Sequence, residues 1–175
     1  KINTMIAQRL LFLIESLDSE MLSVTDLGDF KTVMNGGLHI GTMGFYQADS
    51  KNLSIRDAIQ NSLKPANLLY PANVADDAAR AMIIIQGSQE HLDVDEITKE
   101  VERLSASAGH VFKGIVVKKG RPKVLSVFTL ASAPELEAIY AQAARAMQEE
   151  KEKRTRARKQ LDEAFAHIED LEEIY

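Results

Sequence analysis

The last part of the chain constrains the fold most, because residues 135–175 contain neither glycine nor proline. A seam of positions spaced alternately by four and three runs through it, which is the heptad spacing of helices that pack side by side. The seam consists of Leu136, Tyr140, Ala143, Met147, Glu150, Arg154, Ala157, Leu161, Ala164, Ile168, Leu171 and Tyr175. This pattern predicts one continuous helix of roughly 60 Å at 1.5 Å per residue. We expect a helix-mediated dimer through residues 136–175, or another partner helix.

The preceding residues alternate between helical and strand patterns, which is typical of an α/β domain. Helical spacing and cap signals predict helices over residues 2–17, 27–35, 54–64 and from Asp93 or Asp95 to Gly109. Apolar runs predict strands over residues 38–47, 81–86, 111–117 and 123–131, the last two forming a hairpin through the turn KKGRP. The sequence therefore predicts a two-layer α/β (α+β) sandwich. Its four-stranded mixed sheet would carry helices on one face, in addition to an N-terminal helix and the long C-terminal helix.

Composition excludes several classes of function. The chain has no cysteine, so disulfides, thiolate nucleophiles and cysteine zinc sites are ruled out, and a reducing, cytoplasmic location is expected. Its four histidines are scattered without metal-ligand spacing, so no metal site is predicted. The net charge of −5 argues against specific binding of nucleic acid. The longest apolar runs, at residues 10–14 and 82–85, are too short to span a membrane.

Two carboxylates three residues apart stand at the predicted start of the second helix, in the sequence LSVTDLGDFKTVM. Asp26 can cap that helix, and Asp29 can interact favourably with the helix dipole from the first turn. The same pair can also orient a water molecule towards a phosphate held by another molecule. The residues leave both interpretations open, and the two are compatible, since one Asp can cap while the other faces a partner.

The sequence DLGDFKTVM resembles the activating loop of the tubulin/FtsZ family, which is written NxDxxD with TVM downstream. Asp26 and Asp29 fall on the two acidic positions, and Val24 stands where the cell-division members usually carry Asn. The INTM at the start is similar to the central helix of the family, in which an Asn contacts the guanine base. Asn3 is the position that would have this role. The glycines within 37–44 resemble the G-x-x-x-x-G pattern of the family.

The resemblance implies three parts of the chain. Residues 1–25 would be the end of the central helix and the activating loop, and residues 26–133 the C-terminal-like α/β domain. Residues 134–175 would be a long helical extension. The family's phosphate-binding loop, GGGTG(T/S)G, does not occur in the sequence, so the chain would correspond to the second half of such a GTPase.

The resemblance to this family also predicts a function for the chain. Subunits of the family stack head to tail, so Asp26 and Asp29 would activate the hydrolysis of GTP held by the adjacent subunit during filament assembly. GTP and Mg²⁺ would bind to the full-length protein, and neither is expected to bind to this chain alone. The parent would act in cell division or the cytoskeleton.

Two alternatives remain open at this point. The chain could be a non-catalytic α/β interaction module, complete in itself, that dimerises through its C-terminal helix. A small-ligand regulatory domain is the other, although pocket residues cannot be identified from the sequence. The basic run at 151–159 is interpreted as a solvated helix face that pairs with neighbouring glutamates.

Overall fold

The computed structural model describes residues 2–50 and 53–172, and it describes side chains within these ranges up to residue 161. Tyr175, the last position of the predicted seam, lies outside the described residues, and the side chains of the seam beyond Leu161 lie outside them too. The chain divides into two compact units, one ending at Ser132 and the other beginning at Ala133.

The first unit contains the helices and strands that the sequence predicts, together with a short additional helix before the second strand. In chain order they are α1 (Ile2–Leu17), α2 (Leu27–Met34), β1 (Gly41–Gln47), α3 (Ile55–Ser62), α4 (Val74–Asp77), β2 (Ala78–Gly87), α5 (Val94–Ala108), β3 (Val111–Val117) and β4 (Lys123–Leu130). The predicted caps are confirmed for Asp26, Ser54 and Asp93, whose side chains accept hydrogen bonds from backbone N–H groups in the first helical turn.

The four strands form a mixed sheet, as predicted. Their order in the sheet is β1-β4-β2-β3. Strand β4 runs antiparallel to both β1 and β2, and β3 runs parallel to β2. The predicted hairpin is wrong, because β3 and β4 lie on opposite sides of β2 and do not pair. Residues 81–85 of β2 are fully buried, and a strand this apolar is most stable with a neighbour on each side.

Helices cover both faces of the sheet, which differs from the predicted two-layer arrangement although the α/β class is confirmed. Successive side chains of β2 point to opposite faces, so the strand contributes to two apolar clusters. On one face, Ile83 and Ile85 belong to a cluster with Ile59 of α3 and Ile97 of α5. On the other face, Met82 and Ile84 belong to a cluster with Phe12 of α1 and Val33 of α2. The N-terminal helix is therefore part of the core.

Arg9 fastens α1 to the outer edge of the sheet. Its side chain is almost fully buried, at 3% exposure, and burial lowers the pKa of its guanidinium. The guanidinium donates hydrogen bonds to the carbonyl oxygens of Met43 in β1 (3.1 Å), Asn67 (2.7 Å) and Met5 (3.0 Å). The bond to Met43 adds a second donor to a β1 carbonyl that also accepts from the backbone N–H of Leu69, and the bond to Asn67 joins α1 to the segment after α3.

The second unit contains α6, which extends from Pro134 to Glu172 and confirms the predicted long helix. Its polar side chains pair along the helix axis: Arg154 contacts Glu150 at 2.5 Å, and Arg156 contacts Glu152 at 3.7 Å. These i,i+4 pairs agree with the predicted solvated face at 151–159. Among the described ranges, no helix combines the length and the apolar character needed to cross a membrane.

Candidate functional site

The N-terminus of α2 places both predicted carboxylates within one reciprocal set of hydrogen bonds. The Oδ1 atom of Asp26 accepts from the backbone N–H of Asp29 at 2.9 Å, and Oδ2 of Asp29 accepts from the backbone N–H of Asp26 at 3.1 Å. This is a capping box, in which two free donors of the first turn are satisfied together. The capping interpretation of Asp26 is therefore confirmed, and the box also fixes the orientation of the Asp29 carboxylate.

Thr25 adds a second donor to Asp29. The Thr25 side chain is buried, at 3% exposure, and its hydroxyl Oγ1 donates to Oδ2 of Asp29 at 3.0 Å. Within the described residues, both donors to this carboxylate bind the same oxygen, Oδ2. The other oxygen, Oδ1, is thus left to accept a hydrogen bond from a water molecule or a ligand.

The loop that precedes α2 is held against the free edge of β3. The backbone N–H of Leu22 donates to the carbonyl of Ile115 at 2.8 Å, and the N–H of Ile115 donates to the carbonyl of Ser23 at 3.1 Å. The hydroxyl of Ser23 also donates to the carbonyl of Lys113 at 3.0 Å. The loop therefore continues the sheet for a short distance, and a regular element supports the carboxylates.

Gly114 of β3 provides the space that Thr25 occupies. A Cβ atom at Gly114 would lie 2.7 Å from Cγ2 of Thr25 and 3.3 Å from Sδ of Met21. The roles of Thr25 and Gly114 were not predicted from the sequence. The sequence feature that could have indicated this contact is the glycine within the apolar strand VFKGIVV, because glycine in a strand often marks a close approach of another segment.

The surface around the carboxylates is accessible and partly apolar. Asp26 is exposed and Asp29 is half-buried, so neither is enclosed in the domain. Three large apolar side chains surround them in sequence and are mostly exposed: Leu22 at 70%, Val24 at 78% and Leu27 at 56%. Apolar side chains clustered at such exposure are typical of a surface that another protein covers.

Asn3 lies at the far end of α1 from this loop. It is exposed in the first turn of the helix, and the fifteen residues from Asn3 to Leu17 span about 20 Å at 1.5 Å per residue. The structure therefore does not bring Asn3 together with Asp26 and Asp29. Within the described part of the chain, no group of three or more His, Cys, Asp or Glu side chains is arranged to hold a metal ion.

Another carboxylate, that of Asp77, has a structural role at the end of the first unit. Its Oδ1 accepts from the hydroxyl of Ser132 at 2.6 Å, and its Oδ2 accepts from the backbone N–H of Asn73 at 2.8 Å. The Ser132 bond and then the Asn73 bond lower the pKa of Asp77 below its ordinary value. These bonds hold the end of the unit against α4, and they leave Asp77 an unsuitable catalytic base.

A cleft of about 500 Å³ lies between α5 and the segment from Leu63 to Ala75 and is an alternative small-molecule site. Glu100 lines this cleft, but its carboxylate already contacts Arg56 at 3.3 Å and accepts from Gln60 at 3.1 Å. The Glu100 carboxylate therefore connects α5 to α3. The N-terminus of α2 is therefore the stronger candidate site, because Oδ1 of Asp29 is available there.

Comparison with known proteins identifies the fold and a close relative. No protein-family model matches the chain. The chain is 68% identical over 176 residues to the tubulin-like protein CetZ of Methanothrix thermoacetophila, and the match covers all of this chain and 48% of that protein. It superposes on a structure of CetZ from Methanosaeta thermophila with a TM-score of 0.80 and 68% identity, covering 99% of this chain and 48% of the other.

More distant structures share the fold. A GTPγS-bound CetZ2 protofilament from Haloferax volcanii has a TM-score of 0.62 at 17% identity, covering 82% of this chain and 44% of that one. An empty FtsZ dimer from M. jannaschii has a TM-score of 0.52 at 24% identity, with 67% and 34% covered. The chain spans about half the length of the curated relative that it matches. It belongs to the tubulin/FtsZ-like GTPase family and corresponds to the C-terminal half of such a protein.

Proposed function

We propose that this chain is the activating domain of a polymerising GTPase, and that it acts on GTP bound by an adjacent subunit. The observation that carries the proposal is the Asp29 carboxylate: two donors orient its Oδ2, and no described donor binds its Oδ1 in this half-buried residue. A carboxylate oriented in this way can accept a hydrogen bond from a water molecule and direct it towards a phosphate. The identity of 68% to a tubulin-like protein supports the choice of a nucleotide as the substrate.

The two carboxylates would have different tasks. Asp29 is the water-orienting group, since its Oδ2 is held by Thr25 and by the backbone of Asp26. Asp26 caps α2 through Oδ1, and its exposed carboxylate would also face the water. Mg²⁺, bound with GTP by the neighbouring subunit, would supply positive charge that offsets the two carboxylates.

The surroundings of the site fit a head-to-tail contact between subunits. Leu22, Val24 and Leu27 would pack against the neighbouring subunit and exclude water from its nucleotide. Asn3 would contact the guanine base bound by its own subunit, about 20 Å along α1 from the loop. One subunit would thus meet two nucleotides, one near each end of α1. The protofilament and the dimer among the structural relatives support self-association, and we assign the filament to the cytoplasm, in cell division or the cytoskeleton.

Isosteric substitutions in the intact protein test this proposal. For Asp26→Asn and Asp29→Asn we expect unchanged GTP affinity and a turnover lower by about 100-fold or more, the usual effect of removing a catalytic base. Glu20→Gln is the matched control, because Glu20 is an exposed acid in the same loop and should leave turnover unchanged. Wild-type turnover in both Asp variants would refute the activating role.

The non-catalytic interaction module remains the alternative, and the exposed apolar side chains of α6 favour it. Tyr140 is 81% exposed and Met147 is 74% exposed, as expected of a helix that binds a partner. The sequence of the gene upstream of the codon for Lys1 distinguishes the two functions. An upstream domain containing GGGTG in the same open reading frame supports the GTPase, and its absence supports the interaction module.

A further inference from the structure

The seam of α6 is half-buried at Leu136 and exposed at each of its positions from Tyr140 to Leu161. Besides Tyr140 and Met147, Leu161 is 57% exposed. Two charged residues, Glu150 and Arg154, interrupt this apolar seam near its middle. An amphipathic helix with an exposed apolar stripe gains stability when a second helix covers that stripe. The charges at the centre restrict which helix can do so.

A second copy of α6 fits this seam in one orientation. In an antiparallel pair centred on Glu152, Glu150 of one copy lies opposite Arg154 of the other, and this contact occurs twice. The same register places apolar residues opposite apolar residues on both sides of the charges. The pairs are Met147 with Ala157 and Ala143 with Leu161, and the sequence continues the series with Tyr140 against Ala164 and Leu136 against Ile168.

The parallel orientation is unfavourable. In a parallel pair in register, Glu150 would face Glu150 and Arg154 would face Arg154 at adjacent layers of the seam. Like charges directly opposite each other destabilise helical pairs, and such charges select partners and orientation. The bond of 2.5 Å between Arg154 and Glu150 shows that the two side chains share one face of α6, from which both can reach a second helix.

We propose that α6 binds α6 of a second copy of this chain in an antiparallel pair centred on Glu152. The contact is isologous, so each copy presents the same surface, and the two Glu150–Arg154 pairs are related by the twofold axis. Residues 143–161 alone give about 27 Å of paired helix. The pairing does not depend on GTP or on Asp26 and Asp29, and it can be tested on the 175-residue chain itself.

Sedimentation of the chain over a range of concentrations tests the pairing. We expect a monomer–dimer equilibrium. Arg154→Glu places Glu opposite Glu twice and should weaken the dimer at least tenfold, which is a loss of about 1.4 kcal/mol. The double variant Glu150→Arg, Arg154→Glu exchanges the charges, keeps opposite signs in both contacts and within each helix, and should dimerise as the wild type does. A monomeric wild type at concentrations up to roughly 1 mM overturns the proposal, and so does a monomeric double variant.

Engineered cysteines test the orientation, and the absence of natural cysteine makes the readout unambiguous. Chains with Met147→Cys and chains with Ala157→Cys should form a disulfide when mixed, because these positions face each other. Each variant alone should not cross-link, since its two cysteines would lie about 15 Å apart along the pair. Glu152→Cys is the control, because residue 152 lies on the outer face and should not cross-link. Disulfides formed by either seam variant alone would indicate parallel pairing and overturn the proposal.

Discussion

Replacing Gly114 by alanine should detach the loop that precedes α2 from the sheet or strain its packing. The new Cβ would lie 2.7 Å from Cγ2 of Thr25, whereas two carbon atoms in contact prefer 3.5–4.0 Å. The loop must therefore move by about 1 Å, or β3 must distort. Because Thr25 orients Asp29, the substitution changes the candidate site without altering either carboxylate.

The contacts of the loop set the size of the effect. Overpacking of a tight site costs about 1–3 kcal/mol. Detachment of the loop would instead break the three hydrogen bonds of Leu22, Ser23 and Ile115, each worth about 0.5–1.5 kcal/mol. Both routes exceed the gain of about 0.4–1 kcal/mol that Gly→Ala brings by restricting the unfolded chain. Subtracting this gain from the middle of each range, we expect a net loss of about 1–2 kcal/mol in the free energy of unfolding.

Urea unfolding of the 175-residue chain, followed by circular dichroism, measures this loss. Gly87→Ala in β2 is the matched control, because its Cβ would lie 3.4 Å from Cδ2 of Leu92, an ordinary contact. We expect the control to change stability by less than about 1 kcal/mol. Hydrogen exchange at the Leu22 amide separates the two routes, since it accelerates only if the loop detaches. Equal stability of Gly114→Ala and Gly87→Ala would show that the packing of Thr25 against Gly114 does not constrain the loop.

Three further substitutions test other parts of the account. Thr25→Val in the intact protein removes one donor to Asp29, so we expect kcat for GTP to fall about fivefold with unchanged GTP affinity. Thr25→Ser keeps the hydroxyl and should restore kcat. Equal kcat in the two variants would contradict the role of the Thr25 hydroxyl. Arg9→Met removes the side-chain donor to the carbonyl of Asn67, whereas the carbonyl of Met43 keeps the backbone N–H of Leu69. The variant should lower the free energy of unfolding by about 1–3 kcal/mol, with Arg9→Lys recovering part of it, and an unchanged urea midpoint would contradict this role. The lowered pKa of Asp77 means that its carboxylate stabilises the folded chain above pH 3.8 and loses this effect as the pH falls through its folded pKa. Wild type should therefore exceed Asp77→Asn in urea midpoint at pH 7, and the difference should shrink as the pH is lowered below 3.8; a constant difference would contradict the assignment.

Local signals in the sequence predicted the positions of helices and strands, but not the order of the strands. The caps Asp26, Ser54 and Asp93 act on backbone groups two or three residues away, so their effect is readable from spacing. Strand pairing depends on segments that are distant in sequence. The short turn between β3 and β4 suggested a hairpin, whereas the burial of β2 on both faces decides the observed order.

In the candidate site, too, local features could be predicted from the sequence and contacts between distant segments could not. The spacing of Asp26 and Asp29 identified the carboxylates and their cap, because the capping box lies within four residues. Thr25 could be recognised only from the structure, since it is buried against Gly114, which comes from a distant strand. The glycine marked a close approach, but the sequence does not show which segment approaches it.

If assembly brings the carboxylates of one subunit to the nucleotide of the next, GTP turnover per subunit must depend on protein concentration. For the intact wild-type protein we expect turnover per subunit to rise as filaments form. For Asp29→Asn we expect GTP binding and assembly without that rise. A wild-type turnover per subunit that stays constant through assembly, or an equal rise in the variant, would contradict the account.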